Sequence, residues 1–347
     1  MTTPLVITRD EHLLDEALRL AAAAGVTPEV AGDAGAGLRS WLAAPVVLVG
    51  VDQAPALERL APPRRPGVHL LTAGGPGPEV YRLALALGAE DVVELPAAET
   101  WLVQALTDLA DTSRARGLTL GVVGGCGGAG ASVLAVALGQ VAARGGPALV
   151  VDADPRGAGL DRLVGLEEVP GVHWDALQQT SGRLSARSLR EALPRRDGLG
   201  VLTWGPGTAC PLVALPVREA LSAAQRGHDT VVLDLPRAGD ALTEELVARC
   251  DQLVVVTTAT VLAVAATARL CARLPYSTRR IVVRGRGVSP ADVAAVTGVP
   301  EVVCMPSQRG LDESIDLGLG PVRGRRGPLA RTAAGILDAA MPTGAVA

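Results

Sequence analysis

The segment GGCGGAGAS, residues 124–132, follows the apolar run LTLGVV and leads into a helical stretch that begins near Ser132. Glycines at this density let backbone N–H groups converge on one anion, and a helix N-terminus adds partial positive charge, so the pattern suits a phosphate. A glycine-rich loop alone also serves as a tight strand-to-helix turn. Acidic residues further along favour the phosphate. PALVVDADPRGAGLD reads as a strand ending in Asp152 and Asp154, and HDTVVLDLPR as a strand ending in Asp234. Carboxylates at the C-terminal ends of neighbouring parallel strands face the crevice where a nucleotide and Mg²⁺ would lie. Any one of these Asp residues alone would read as a helix cap or a solvated turn; three in this order point to one site.

The charge that should oppose them is missing. All 32 basic residues are Arg, which removes Schiff-base chemistry, a lysine general base and a phosphate-loop lysine. Cys126 inside the loop has no partner Cys or nearby His, so it reads as a small residue rather than a redox centre. The five cysteines (Cys126, Cys210, Cys250, Cys271, Cys304) form no CxxC pair, and His12, His69, His173 and His228 have no ligand spacing. A disulfide framework and a His-based metal site are both disfavoured, and a reducing cytoplasm is expected.

Positioning these residues calls for two α/β units. Residues 1–112 carry 7 Arg against 15 acids, a balance of −8, while the remainder carries 25 Arg against 21 acids, a balance of +4. Aromatic residues make up 2 % of the 347 and Phe is absent, so Ala, Val and Leu must build both cores. In the first part PLVIT (4–8) and the runs 26–32, 45–51, 67–73 and 90–95 read as strands. EHLLDEALRLAAAAG, AGLRSWLAA, PEVYRLALALG and AETWLVQALTDLADT between them read as helices, which implies a parallel doubly wound sheet. Residues 113–117 read as a polar linker. Residues 118–347 form a second α/β unit, with strands near 118–123, 147–152, 199–204, 230–234, 252–257, 280–284 and 301–305 and a last helix over about 328–340. The start, MTTPLVITRDEHLLDE, lacks the pattern of a secretory leader. The charge-free run between Arg116 and Arg144 has the length of a membrane span, but its glycines favour strand, loop and helix.

The first part resembles a response-regulator receiver domain, through ALALGAEDVVELPAAETWLVQAL. That family's chemistry needs an acidic pair after strand one, an Asp ending strand three and a Lys before the Pro. Here strand one runs into Thr8 and Arg9, Asp52 lies beyond Val49 and Gly50, and Leu95 stands at the Lys position. A docking module is therefore expected in place of a phospho-switch at Asp52.

The second part resembles the MinD/ParA family of P-loop ATPases over about residues 118–340. The fold expected is thus α/β throughout: a receiver-like (flavodoxin-like) domain, then a MinD/ParA-like P-loop domain with a mostly parallel doubly wound sheet. The resemblance implies ATP contacts along Gly125, Cys126, Gly127, Gly128, Ala129, Gly130, Ala131, Ser132 and Val133 and at Asp152. It implies Mg²⁺ at Ser132 and Asp234, and a catalytic role for Asp154 in polarising the attacking water. The family's two lysine positions fall on Cys126 and Ala131, and the position at which relatives read adenine through Asn is Arg284. The pairing of the two domains is similar to the CpaE/TadZ group. GLEEVPGVHWDAL, DGLGVLTW and RGPLARTAAGILDA are similar to an actinobacterial branch of that group acting in septum-site determination. The implied roles are septum placement or positioning of Tad-type pilus machinery, as a cytoplasmic homodimer, peripheral at the inner membrane face or septum, contacting division or pilus-assembly proteins.

Each lost charge-assisted phosphate contact is worth roughly 1.5–3 kcal/mol, so losing both lysines weakens ATP binding by about two to four powers of ten. Weak or absent ATP binding and negligible hydrolysis are expected. The alternative is an ATP-dependent dimerisation switch in which Arg156 and Arg237 replace the lysines. Arg279, Arg280, Arg284, Arg286, Arg323, Arg325 and Arg326 raise non-specific DNA binding, but a solvated Arg surface is the commoner case. The last helix lacks an aromatic wedge and a basic face, so any membrane contact is expected through a partner.

Overall fold

The computed structural model describes residues 3–112, 117–179, 184–205, 211–237, 239–274 and 279–340. Linker residues 113–116, Cys210 and the segment 341–347 lie outside the described residues. The chain divides into two compact units, 1–115 and 116–347.

The first unit alternates strands β1 (Leu5–Ile7), β2 (Glu29–Ala31), β3 (Val47–Gly50), β4 (Val68–Ala73) and β5 (Asp91–Leu95) with helices α1 (Glu11–Ala23), α2 (Ala34–Gly37), α3 (Ala54–Leu60), α4 (Pro78–Leu87) and α5 (Glu99–Thr112). The sheet order is β2-β1-β3-β4-β5, parallel at every pairing. Two helical details differ from the sequence reading. AGLRSWLAA is one helical turn followed by turns, and Trp41, 1 % exposed, folds back so that its Nε1 donates to the Pro63 carbonyl. Helix α3 had no periodic signal in its seven residues; Pro55 in its first turn starts it.

The second unit holds β6 (Leu118–Gly124), β7 (Ala148–Asp152), β8 (Arg195–Arg196), β9 (Leu199–Leu202), β10 (Thr230–Leu235), β11 (Gln252–Thr258), β12 (Arg279–Arg284) and β13 (Val302–Met305). Its helices are α6 (Ala131–Ala142), α7 (Trp174–Leu177), α8 (Ala186–Ala192), α9 (Ala214–Gly227), α10 (Ala241–Ala248), α11 (Val261–Arg273), α12 (Pro290–Thr297), α13 (Leu311–Asp316) and α14 (Pro328–Ala340). The strand order is β13-β12-β11-β6-β10-β7-β9-β8, and only β8 runs antiparallel. The chain leaves β6, passes over β10 to reach β7, and later places β11 on the opposite side of β6. That reversal opens a crevice at the C-terminal end of β6, the position where doubly wound sheets bind ligands. The charge-free run splits into β6, loop and α6, and no described helix is long and apolar enough to cross a membrane. Helix α14 packs on α6 and buries Leu329, Ala330, Ala333, Ile336 and Leu337, so it closes one face of the sheet.

Candidate functional site

The loop after β6 is held against the sheet by its own backbone. The N–H of Gly125 donates to the Val256 carbonyl of β11 at 2.8 Å. A Cβ at Gly125 would strike the Thr267 side chain on α11, so only glycine lets the loop lie this close. Gly128 (φ 67°) and Gly130 (φ 95°) take left-handed backbone that turns the chain into α6. Gly130 is the N-cap and offers no side chain, so Ala131, Ser132 and Val133 present first-turn N–H groups that no N-cap side chain satisfies. A Cβ at Gly127 or Gly128 would meet nothing within 4 Å, which leaves the rim open. Ala129 is buried beneath the loop, and Val133 is half-buried against the same core. Cys126 is half-buried, its Sγ 3.8 Å from the Thr258 hydroxyl.

The acids gather on the side of β6 occupied by β10 and β7. Asp234 and Asp152 are register partners on those two strands, 4 % and 1 % exposed. One carboxylate oxygen of Asp152 accepts from the Thr203 hydroxyl at 2.8 Å, and the other from the Asp154 N–H at 3.2 Å. The Asp152 carbonyl accepts from the Trp174 indole at 2.7 Å. Ser132, at the start of α6, lies beside Asp234 and works against the rise in its pKa. Asp154 is half-buried and accepts from the Arg156 N–H at 3.0 Å. Burial pushes the Asp152 carboxyl up to about 7, against the Thr203 hydrogen bond and with help from the Asp234 and Asp154 charges. Burial likewise pushes Asp234 up to about 6, with the Asp154 charge adding to it.

Among the described residues no basic side chain pairs with these two buried carboxyls, which resist ionisation, and a divalent ion would supply the missing charge. Ser132 and Asp234 lie side by side, so one Mg²⁺ can reach both. Among the described residues no three of His, Cys, Asp and Glu are grouped as a metal cage. The donor set therefore fits Mg²⁺ that draws its remaining ligands from phosphate and water, as that ion usually does. When bound, the ion would screen the charge of a polyphosphate against these acids.

The positive side of the site differs from the sequence expectation. Arg156 and Arg237 are both exposed, and neither side chain is hydrogen-bonded to the loop among the described residues. Instead Arg284, at the end of β12, donates from Nη2 to the Gly128 carbonyl at 2.9 Å. Of the other arginines in that group, Arg286, Arg325 and Arg326 are exposed, while Arg279, Arg280 and Arg323 have structural duties. Arg280 is buried and pairs with Glu301 at 2.6 Å, Arg279 donates to the Cys271 carbonyl, and Arg323 donates to the Ser314 hydroxyl at 3.0 Å. Thr203, Trp174 and the loop contact of Arg284 are the parts of the site that sequence reasoning did not supply.

In the first unit Asp52 is already engaged. It accepts from the Thr8 hydroxyl at 2.7 Å, the Arg9 N–H at 2.8 Å and the Gln53 amide at 2.9 Å. These donors outweigh burial and hold its carboxyl below the usual range. A Cβ at Gly50 would run into both Asp52 and Thr8, so the carboxylate curls back over the end of β3. Asp10, the next acid, caps α1 through the Leu13 and His12 N–H groups. These two carboxylates tie loops to helices and strands.

The fold of the second unit is similar to that of solved structures. The MinC:MinD cell division protein complex of Aquifex aeolicus aligns with a TM-score of 0.54 at 18 % identity, over 66 % of this chain and 100 % of that chain. The septum site-determining protein MinD from Pyrococcus horikoshii OT3, complexed with Mg-ADP, aligns with a TM-score of 0.52 at 18 % identity, over 62 % and 92 %. The second unit thus has the MinD/ParA P-loop fold. A family described as "Rv3660c-like, CheY-like N-terminal domain" matches residues 7–117, which makes the first unit CheY-like. Uncharacterized protein Rv3660c of Mycobacterium tuberculosis H37Rv is 38 % identical over 337 residues, spanning 94 % of this chain and 95 % of that protein. With 94 % of the chain covered at that identity, the chain belongs to the Rv3660c-like family.

Proposed function

We propose that this protein is a MinD-type spatial regulator whose nucleotide site is degenerate. In this reading it binds Mg-ATP weakly or not at all, hydrolyses it negligibly, and acts by dimerising and recruiting other proteins. Residues 1–112 are the docking module, 113–117 the linker and 118–347 the P-loop domain. The N–H groups along Gly125–Val133 would take the phosphates and Asp152 would line the nucleotide site, with Mg²⁺ at Ser132 and Asp234 and the water at Asp154. The observation that carries the reading is a phosphate loop intact in backbone whose two family lysine positions are Cys126 and Ala131, in a chain with no lysine. Removing one electrostatic group from a transition state typically costs on the order of a hundred- to a thousand-fold in rate.

The cell division and septum-site names of two fold neighbours support a role in placing the division septum; positioning of Tad-type pilus machinery is the other role in this reading. The partners would be division or pilus-assembly proteins and a second copy of the chain. The site of action would be the cytoplasm, with contact to the inner membrane face or septum through a partner. DNA is not favoured, because Arg279, Arg280 and Arg323 are spent on internal contacts, which leaves fewer of these arginines for a phosphate backbone.

Calorimetric titration of the full chain with ATP and Mg²⁺, with light scattering on the same samples, tests this. Absent or millimolar binding with an unchanged oligomer is the expected result. Micromolar binding that drives dimerisation, with turnover abolished by Asp154→Ala, would overturn the reading. It would instead favour the ATP-dependent switch, for which Arg284 on the loop is the supporting observation.

A further inference from the structure

The structure assigns Arg284 as the phosphate-binding cation of the glycine-rich loop, the group through which a site without lysine takes a di- or triphosphate. The inference rests on the reading of this loop as a degenerate nucleotide site and names the residue that decides its remaining affinity.

Placement comes first. Arg284 lies 156 residues from Gly128 in sequence, yet its Nη2 donates to the Gly128 carbonyl at 2.9 Å. A Cβ on Gly130 would sit 3.2 Å from its Nη1, so the guanidinium runs along the rim from Gly128 to Gly130. That is the stretch where the space beside Gly127 and Gly128 is open and the first N–H groups of α6 have no N-cap side chain.

Charge comes second. Some arginines are neutralised by carboxylates, Arg280 by Glu301, Arg218 by Glu245 at 2.7 Å and Arg82 by Glu58 at 2.6 Å, while Arg196 and Arg144 sit on carbonyls away from the loop. Among the described residues Arg284 has the Gly128 carbonyl as its partner and no carboxylate. The acids Asp152 and Asp234 stand on β7 and β10, on the opposite side of β6 from β12. The site is therefore polarised across the loop, with carboxylates for a divalent ion on one side and an unneutralised guanidinium on the other. A Mg-polyphosphate presents the matching pair of charges.

Chemistry comes third. A guanidinium carries five N–H donors and no acceptor, and one donor is used on Gly128. The remaining donors suit phosphate oxygens, which a planar fork can bind in pairs.

The test uses the full chain, wild type against Arg284→Gln, Arg284→Ala and Arg284→Lys, titrated calorimetrically with Mg-tripolyphosphate and Mg-ATP up to several millimolar. Arg284→Gln keeps a donor for Gly128 and removes the charge, and thermal unfolding checks that each variant folds. The expected result is that Gln and Ala weaken binding of both probes by ~10-fold or more, past detection in this range, while Lys restores most of it. Equal or tighter binding by the Gln variant overturns the assignment, since a guanidinium that merely plugs the loop would give that outcome. So does a wild type that binds neither probe, a result that leaves the degenerate regulator standing. Rapid ATP turnover by the wild type, lost in Asp154→Ala, would sink the degenerate-site reading while the charge dependence at Arg284 still held.

Discussion

His228 shows how burial fixes the protonation of a single residue. It follows α9, is 5 % exposed, and its Nδ1 lies 3.0 Å from the Ala224 carbonyl, to which the neutral ring donates. Burial lowers its pKa to about 4, against that hydrogen bond and with a further push from the Arg190 charge. In the unfolded chain the ring titrates near 6.5. Between those values the unfolded state takes up a proton that the folded state refuses, so stability falls as pH drops through 6.5 towards 4. At ~1.36 kcal/mol per unit, lowering pH from 7.5 to 5 should cost about 2 kcal/mol through this residue. Denaturant unfolding of wild type and His228→Gln at both pH values measures it; identical pH dependence in the two would refute the account. The sequence offered four scattered histidines and no means of ranking them, because burial at the end of α9 is a tertiary fact. The acids were more legible, since an apolar run ending in Asp is a local pattern. Thr203 and the loop contact of Arg284 were not, because both depend on strand order: Thr203 reaches Asp152 across 51 residues and Arg284 reaches Gly128 across 156.

Helix α6 carries the loop's geometry into the sheet, and its approach is set by Gly139. A Cβ there would run into the Val150 side chain and lie 2.8 Å from Leu199 Cδ1, so α6 rests directly on β7 and β9. Alanine has the better helix propensity by about 1 kcal/mol, but overpacking typically costs ~1–3 kcal/mol, and at this contact the clash should win. Gly335 on α14 provides the opposite case, exposed and with nothing within 4 Å of an added Cβ. Gly139→Ala is expected to destabilise by about 1–2 kcal/mol and to loosen the start of α6, while Gly335→Ala stabilises by ~0.5–1 kcal/mol. Urea midpoints of the two variants decide it, and a stabilising Gly139→Ala would mean that α6 does not rest on the sheet so closely. Among elements, the strands were legible because buried parallel strands are apolar runs with turn residues at their ends. The strand β8 was not: Arg195 and Arg196 are two exposed polar residues whose pairing with β9 leaves no mark on the pattern. The helix read over AGLRSWLAA ended after one turn because Gly35 and Gly37 weaken it and Trp41 is worth more buried than continuing it.

At the scale of the whole molecule, each unit buries its own core. The clusters around β1, β3 and β4 draw only on the first unit, and those around β6, β10 and β11 only on the second. A unit of 115 residues that closes two core layers about its own sheet needs no second body to fold. Its charge differs too: −8 over residues 1–112 against +4 over the rest, a division already visible in sequence. Residues 1–115 and 116–347, expressed separately, should therefore each unfold in one cooperative transition, and the full chain should show their sum rather than a single two-state curve. Calorimetry of the three proteins makes the comparison. A first unit that stays molten alone and gains its transition only within the full chain would show that it depends on the second for its packing. Two independent transitions would instead mean that the acidic unit can be exchanged or removed without disturbing the phosphate loop, as a docking module requires. Charge at the loop, set by Arg284 and the buried acids, can then be varied without altering the fold of the first unit.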